Sequence, residues 1–193
     1  MLNFNFQVPT RILFGRDRIN ELAKEVRNYG NRVLLVYGGG SIKKTGLYDR
    51  VTEILNCNGI SYVELSGVQP NPRITSVREG VKLCRENQVE LVLAVGGGSV
   101  IDCAKIIAAG VYYEGDPWDF FLHKARITGA LPIGTVLTLA ATGSEMNANA
   151  VISNEDPGQK LDISSRHLYP RFSILDPTLT FTVPPLQTAA GTA

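Results

Sequence analysis

The chain has 193 residues, a formal net charge of +1, 44% hydrophobic residues and 19% charged residues. This composition is that of a globular protein with room for a sizeable core, and it excludes a disordered chain. The near-zero charge gives no general attraction to nucleic acid or to an anionic membrane, so we expect neither as a partner.

The three cysteines, Cys57, Cys84 and Cys103, lie far apart in helix-like segments among apolar neighbours, which predicts buried free thiols. No apolar run approaches the roughly 18–20 residues of a membrane span. Residues 1–6 also lack the basic and apolar regions of a signal peptide. We therefore expect a protein of the reducing cytoplasm.

Strand-like and helix-like segments alternate through the first 110 residues. Apolar alternation at 4–6 and 11–14 predicts a short N-terminal hairpin or a pair of edge strands. Helical spacing from Ile19 to Tyr29 predicts a first helix that Gly30 ends. Further strands are predicted at 33–37, 61–65 and 91–95, and further helices at 47–55, 74–87 and 99–109. This alternation predicts parallel β-α-β units, and therefore an α/β fold with a doubly wound, mostly parallel sheet.

The pattern changes after Gly110. Residues 116–121 predict a short helical turn, and residues 131–136 and 172–175 predict strands. Short strands at 151–153 and 161–164 flank a turn-forming stretch, which predicts an added β-hairpin. Pro184 and Pro185 are expected to open a final helix, since proline suits a first helical turn. That helix has no C-terminal cap before residue 193, so we expect a truncated chain.

Two predicted strands run into the same Gly-Gly-Gly-Ser turn, once at 38–41 and once at 96–99. Glycines at the end of a strand let backbone N–H groups approach a phosphate, and the N-terminus of the next helix adds partial positive charge. Ser99 is predicted to cap that helix and to donate to the phosphate. The spacing is not Gly-x-Gly-x-x-Gly, because Ile101 holds the last position. A tight turn without a ligand is the alternative.

The first glycine turn is followed by Lys43 and Lys44, and no acidic residue occurs before Asp49. In dinucleotide sites an acidic residue binds the ribose 2′-hydroxyl of NAD, whereas basic neighbours accept the 2′-phosphate of NADP. An acid-free turn with lysines nearby therefore favours tolerance of NADP(H). The alternative is that the lysines form a solvated start of a helix.

Hydroxyl side chains are concentrated in the segment 138–145. Thr138, Thr142 and Ser144 can hydrogen-bond to a phosphate or a nicotinamide amide, although a polar turn with a helix cap is the alternative. His123 and His167 share no helix-face spacing with each other or with a carboxylate. We therefore expect no metal site made by this chain alone.

These segments together resemble the iron-containing (group III) alcohol dehydrogenases, particularly the bacterial butanol dehydrogenase branch. The resemblance covers essentially the whole chain. It rests on Phe6-x-x-Pro9-Thr10-x-Ile12-x-Phe14-Gly15, Tyr37-Gly38-Gly39-Gly40-Ser41, Pro70-Asn71-Pro72, Gly96-Gly97-Gly98-Ser99-Val100-Ile101-Asp102-x-Ala104-Lys105, Ala141-Thr142-Gly143-Ser144-Glu145, Lys160 and Asp176-Pro177-Thr178-Leu179.

The resemblance implies a Rossmann-like, dehydroquinate-synthase-like N-terminal domain and a C-terminal all-helical domain that supplies most of a catalytic metal site. On this basis residues 1–183 form the NAD(P)-binding α/β domain. Residues 184–193 begin the helical metal-binding domain, the rest of which is missing. The family's metal ligands, an aspartate and three histidines, follow the segment matched by residues 190–193. No residue of this chain is therefore assigned to Fe²⁺ or Zn²⁺, and none is assigned as catalytic.

The resemblance also implies where the cofactor binds. The second glycine turn would hold the pyrophosphate, Asn71 would lie near the adenosine half, and Lys160 near the nicotinamide ribose. Thr138, Leu139 and Thr142 would lie around the phosphate and nicotinamide side, and Asp102 would have a cofactor-related or a structural role. The full expected set is Gly38, Gly39, Gly40, Ser41, Asn71, Gly96, Gly97, Gly98, Ser99, Asp102, Thr138, Leu139, Thr142, Lys160 and Leu179.

The family reaction is reversible hydride transfer between an alcohol or aldehyde and NAD(P)(H), with the metal as a Lewis acid on the substrate oxygen. We expect the cofactor domain of such an enzyme, inactive alone, with NADP(H) favoured over NAD(H). The full-length protein would use a small alcohol or aldehyde and form a homo-oligomer, a dimer. Alternatives are a glycerol-dehydrogenase-like polyol oxidoreductase, a dehydroquinate-synthase-like cyclase and a non-catalytic nucleotide-binding module. The matches at 141–145 and 176–178 favour the alcohol dehydrogenase.

Overall fold

The computed structural model describes residue 3 and residues 7–192. Strands and helices alternate in the predicted order, joined in places by short 3-10 turns. The strands are β1 (Arg11–Phe14), β2 (Arg32–Gly38), β3 (Ser61–Val68), β4 (Leu91–Gly96), β5 (Ile133–Leu137), β6 (Asn149–Asn154), β7 (Gln159–Ser164) and β8 (Phe172–Leu175). The helices are α1 (Leu22–Arg27), α2 (Ser41–Lys44), α3 (Leu47–Cys57), α4 (Ile74–Glu86), α5 (Gly98–Gly110), α6 (Trp118–Phe121) and α7 (Pro185–Thr192).

Six strands form one sheet in the order β1-β8-β5-β4-β2-β3, and every pairing in it is parallel. The chain passes from β2 to β3 on one side and then returns to β4 on the other side of β2. This reversal is the switch point of a doubly wound sheet, where ligands bind outside the carboxyl ends of the strands. The predicted α/β fold is confirmed, and both glycine turns follow the two strands at this switch point.

Side chains alternate between the two faces of the central strands, and each face has its own core. Leu34 and Val36 of β2 pack with α4 and α5, whereas Val33 and Leu35 pack with α1 and α3 on the other face. All six residues of β4 are buried. Such near-continuous apolar strands are typical of parallel sheets covered by helices on both faces.

The predicted β-hairpin is present as a separate antiparallel pair of β6 and β7, in register from Asn149 opposite Ser164 to Asn154 opposite Gln159. A parallel bridge between Arg73 and Ser153 and packing of β6 on α5 hold it beside the sheet. The hairpin thereby brings Lys160 to the same edge as the glycine turns.

At the opposite side of the sheet, β1 pairs in parallel with β8, so residues 11–14 form an edge strand as one of the two alternatives predicted. The other predicted segment, residues 4–6, lies outside the described residues. Ile12 and Phe14 expose 38% and 67% of their surface on this edge.

The prediction of buried thiols is correct for Cys84 and Cys103 and wrong for Cys57, which is exposed. The buried face of α3 carries Leu47, Val51 and Leu55, and Cys57 follows Leu55 by two residues. At about 100° per residue, that offset places the thiol on the opposite side of the helix. Burial raises the pKa of both Cys84 and Cys103 to about 12. Among the described residues, no helix is both long and apolar enough to cross a membrane.

Candidate cofactor-binding site

The two glycine turns lie side by side because β2 and β4 are neighbouring parallel strands. In the first turn Gly40 has a φ of 107°, a conformation that side chains other than glycine rarely adopt. A Cβ built at Gly39 would meet no atom within 4 Å, so this position is open to solvent or to a ligand.

The second turn leads directly into α5, which has Gly97 as its N-cap residue and no side-chain cap. The prediction that Ser99 caps this helix is therefore wrong, because Ser99 already lies inside α5, as its second residue. Val100 and Ile101 donate the first helical hydrogen bonds to the Gly97 carbonyl. The N–H groups of Gly98 and Ser99 precede those bonds, and such groups at a helix N-terminus have no partner within the helix.

None of the glycines of the second turn has a positive φ, and at Gly96 and Gly98 it is the lack of space for a Cβ that favours glycine. A Cβ built at Gly98 would lie 2.6 Å from Oγ1 of Thr142, and one built at Gly97 would lie 3.4 Å from Cβ of Leu139. The loop after β5 therefore lies directly over this turn.

Two clefts open on either side of the second turn, one of about 240 Å³ and one of about 230 Å³. They contain most of the predicted residues. The first, here called the Ser41 cleft, is lined by Ser41, Gly97, Thr138, Leu139 and Leu179 together with Thr182–Pro184. The second, here called the Lys160 cleft, is lined by Asn71, Pro72, Gly98, Ser99, Asp102, Thr142, Val151 and Lys160. Gly38, Gly39, Gly40 and Gly96 lie in the two turns themselves.

The structure shows how four residues of the predicted set lie relative to one another. Thr138 and Leu139 line the Ser41 cleft, apart from Thr142 in the Lys160 cleft, because the chain crosses over the second turn between them. Asn71 is predicted near the adenosine half and Lys160 near the nicotinamide ribose, and the structure brings the two side chains into contact, with Nζ of Lys160 donating to Oδ1 of Asn71 over 2.6 Å. The two side chains therefore lie together in the Lys160 cleft.

Asp102 lines the Lys160 cleft and also holds the neighbouring loop. Its Oδ1 accepts a hydrogen bond from Oγ of Ser144 at 2.6 Å, and its Oδ2 accepts one from the Val151 amide at 3.1 Å. Burial raises the pKa of Asp102 above its usual value, although both hydrogen bonds and nearby Lys105 oppose the shift. The geometry thus supports the structural role that the sequence left open for Asp102.

Lys105 is fully buried one turn further along α5 and was not identified as a site residue from the sequence. The available signal was a single charge within the apolar run 103–109. Its ammonium donates to Oγ of Ser144, to the backbone and side-chain oxygens of Asn147, and to the backbone oxygen of Asn149, at 2.8–3.0 Å. Burial lowers the pKa of Lys105 to about 8, while Asp102 and Glu145 oppose the shift.

Lys43 has local partners beside the first turn, which goes beyond a solvated helix start. Its ammonium lies 4.5 Å from the ring centroid of Tyr48 and 5.3 Å from that of Tyr37. Both tyrosine hydroxyls donate to the Glu64 carboxylate, at 2.5 and 2.7 Å. The interaction of this ammonium with the Tyr37 hydroxyl oxygen, together with the nearby charges, raises the pKa of Lys43. An exposed cation thus lies over two aromatic rings next to the first glycine turn.

No group of three or more His, Cys, Asp and Glu side chains that could hold a metal ion occurs within the part of the chain that the structure describes. The described residues therefore do not fit an iron site.

Several known proteins are similar to this chain. NADH-dependent butanol dehydrogenase A of Clostridium acetobutylicum is 58% identical over all 193 residues, and NADPH-dependent aldehyde reductase YqhD of Escherichia coli is 47% identical over 99% of the chain. The chain spans about half the length of these relatives, 50% and 49%.

The fold is shared with a solved butanol dehydrogenase. The crystal structure of NADH-dependent butanol dehydrogenase A from Thermotoga maritima superposes with a TM-score of 0.95 at 52% identity, over 98% of this chain and 48% of that one. The family model for iron-containing alcohol dehydrogenases matches residues 9–177. This chain therefore belongs to the iron-containing alcohol dehydrogenase family.

Proposed function

We propose that the chain is the nicotinamide-dinucleotide-binding part of a butanol-dehydrogenase-like alcohol dehydrogenase or aldehyde reductase. The observation that carries the proposal is the meeting of two clefts at the N-terminus of α5, at the switch point of the sheet. A helix N-terminus with close backbone approach suits a pyrophosphate, and two flanking clefts suit the two nucleoside halves.

The cofactor would lie across the second glycine turn. Gly97, Gly98 and Ser99 would bind the pyrophosphate through backbone N–H groups. The Ser41 cleft adjoins the first glycine turn and would take the adenosine half. The Lys160 cleft would take the nicotinamide half, with Asn71 and Lys160 as polar contacts at the ribose.

For the whole protein we propose reversible hydride transfer between a small alcohol or aldehyde and the cofactor. Fe²⁺ or Zn²⁺ would act on the substrate oxygen, with ligands other than the residues described here. The chain's own contribution is to bind and orient the dinucleotide. The cleft geometry supports this role, as does the naming of its relatives as NADH- and NADPH-dependent enzymes.

We further propose that NADP(H) binds at least as tightly as NAD(H). Open space at Gly39, the absence of an acidic side chain within residues 38–41, and the ammonium of Lys43 support this preference. A 2′-phosphate at this turn would meet a cation and no carboxylate of the turn itself.

Three further assignments remain part of the proposal. The NAD(P)-binding domain would comprise residues 1–183 and the helical domain would begin at 184–193, since β8 ends at Leu175 and α7 begins at Pro185. A homodimer is supported by the apolar side chains of Ile12 and Phe14 on the open sheet edge. A cytoplasmic location is supported by the free thiols of Cys84 and Cys103.

Equilibrium titration with NADH and NADPH, followed by cofactor fluorescence and by calorimetry at fixed ionic strength, tests the proposal. We expect one dinucleotide per chain. ADP-ribose should compete, because it retains the pyrophosphate and both riboses. Saturating NADH and NADPH without any binding signal would refute the proposed function.

A further inference from the structure

One buried cation is unexplained by dinucleotide binding alone. Lys105 has no exposed surface, and its four hydrogen-bond acceptors all lie within the six residues 144–149. An ammonium has three protons to donate. The Ser144 hydroxyl donates its own proton to Asp102, so its Oγ acts as an acceptor towards Lys105. The arrangement therefore fits the charged form, which shares three donors among four acceptors.

The segment that Lys105 holds continues into the cofactor cleft. Asn147, which accepts twice from Lys105, donates from Nδ2 to the backbone oxygen of Thr142 at 3.5 Å. Thr142 in turn lies so close to the second glycine turn that a Cβ at Gly98 would contact its hydroxyl. Lys105 and Thr142 are thus linked through a single residue.

A second connection runs through Asp102. Ser144 accepts from Lys105 and donates to Asp102, whose other oxygen accepts from the Val151 amide at the start of the hairpin. Asp102 and Val151 both line the Lys160 cleft. Loss of the charge on Lys105 would therefore disturb two walls of that cleft.

We propose that Lys105 is a positioning residue whose ammonium holds residues 144–149 on α5 and thereby keeps Thr142 at the spacing from Gly98 that the dinucleotide requires. This inference rests on the proposed function, because it assumes that the dinucleotide occupies the Lys160 cleft. Lys105 itself does not line either cleft and is not assigned a contact with the cofactor.

The role gives cofactor binding a specific pH dependence. The charged groups that act on Lys105 are Asp102 on its own helix and Glu145 in the adjoining 3-10 turn. Burial lowers the pKa of Lys105 to about 8 despite both carboxylates, so the ammonium loses its proton between pH 7 and 9. If only the protonated form holds the loop, the dissociation constant at pH 9 is about tenfold that at pH 7.

The experiment measures NADH and NADPH dissociation constants from pH 7 to pH 9.5 for three proteins: the unaltered chain, Lys105→Met and Lys82→Met. Lys82 is an exposed lysine of α4 and serves as the matched control. We expect the tenfold weakening in the unaltered chain and in Lys82→Met. Lys105→Met should bind at least tenfold more weakly at pH 7 and show no further change up to pH 9.

Hydrogen exchange of the unaltered chain provides a readout that does not depend on the folding of a variant. After correction for the intrinsic exchange rate, protection of the amides in residues 142–149 should fall between pH 7 and 9, while protection in β4 stays constant. A pH-independent dissociation constant with constant protection would overturn the role of Lys105 alone. Failure of both cofactors to bind at pH 7 would overturn the proposed function and this inference with it.

Discussion

Nζ of Lys160 donates a hydrogen bond to Oδ1 of Asn71 over 2.6 Å, joining the hairpin to the loop before α4 across 89 residues of sequence. Asn71 has a φ of 56°, a left-handed conformation that asparagine tolerates better than most residues. The pair forms one wall of the Lys160 cleft, where an ammonium and an amide are available to the hydroxyls of a ribose.

The first prediction tests this pair with a double-mutant cycle. Lys160→Gln and Asn71→Gly, the latter chosen because glycine accepts the left-handed φ, should each weaken dinucleotide binding by roughly 1–2 kcal/mol. The double variant should lose less than the sum, because each side chain orders the other. Additive losses in calorimetric titrations would show that the two residues act independently.

The second prediction concerns the glycine turn that precedes α5. Gly98→Val should reduce cofactor binding below detection, because its Cβ would displace Thr142 and its methyl groups would occupy the cleft. Gly129→Val is a suitable control, since a Cβ there meets only ordinary contacts, 3.8 Å and beyond, with Tyr112. Normal affinity in a folded Gly98→Val variant would place the pyrophosphate elsewhere.

The third prediction addresses the choice between NADPH and NADH. Gly39→Asp introduces a carboxylate at the open position of the first turn without a clash or a disfavoured φ. It should weaken NADPH binding by roughly tenfold or more, about 1.4 kcal/mol, and leave NADH binding within a few-fold. Asn56→Asp adds the same charge on an exposed part of α3 and should change neither value. Tighter binding of NADH than of NADPH by tenfold in the unaltered chain would refute the proposed preference.

The fourth prediction is a pH dependence of stability at the amino end of the sheet. The Asn31 amide, the Arg32 amide and the Arg32 guanidinium all bind the Glu90 carboxylate and lower its pKa from 4.5. A lowered carboxyl pKa stabilises the fold above pH 4.5, and this contribution is lost as pH falls through the folded value. Glu90→Gln should lower the free energy of unfolding by about 0.5–1.5 kcal/mol at pH 7 and by less at pH 3.

Urea denaturation of the unaltered chain and of Glu90→Gln, at pH 7 and at pH 3, measures the difference between their free energies of unfolding. Glu86→Gln is the control, because Glu86 forms an exposed ion pair with Lys82 at 3.8 Å, and such a pair contributes little to stability. Equal pH dependence in the unaltered chain and in Glu90→Gln would contradict the assignment.

The elements and the glycine turns could be predicted from the sequence because hydrophobic periodicity and turn residues act over a few neighbouring positions. Contacts between distant segments could not. The Lys160–Asn71 hydrogen bond depends on how the hairpin packs on α5, and the split of Thr138 from Thr142 depends on where one loop crosses another. The family resemblance supplied the candidate residues of the site, whereas the structure shows which of them lie together.

The pairing of β1 with β8 has a consequence for how the protein is made. Arg11 lies opposite Phe172, so among the described residues the first strand of the sheet pairs with the last strand of that sheet to leave the ribosome. The strands β2 to β5 can assemble first, whereas β1 lacks β8 as a partner until residues 172–175 have been synthesised. During that interval its exposed apolar residues make it a site where nascent chains could associate, and a ribosome-bound chaperone would be most useful there.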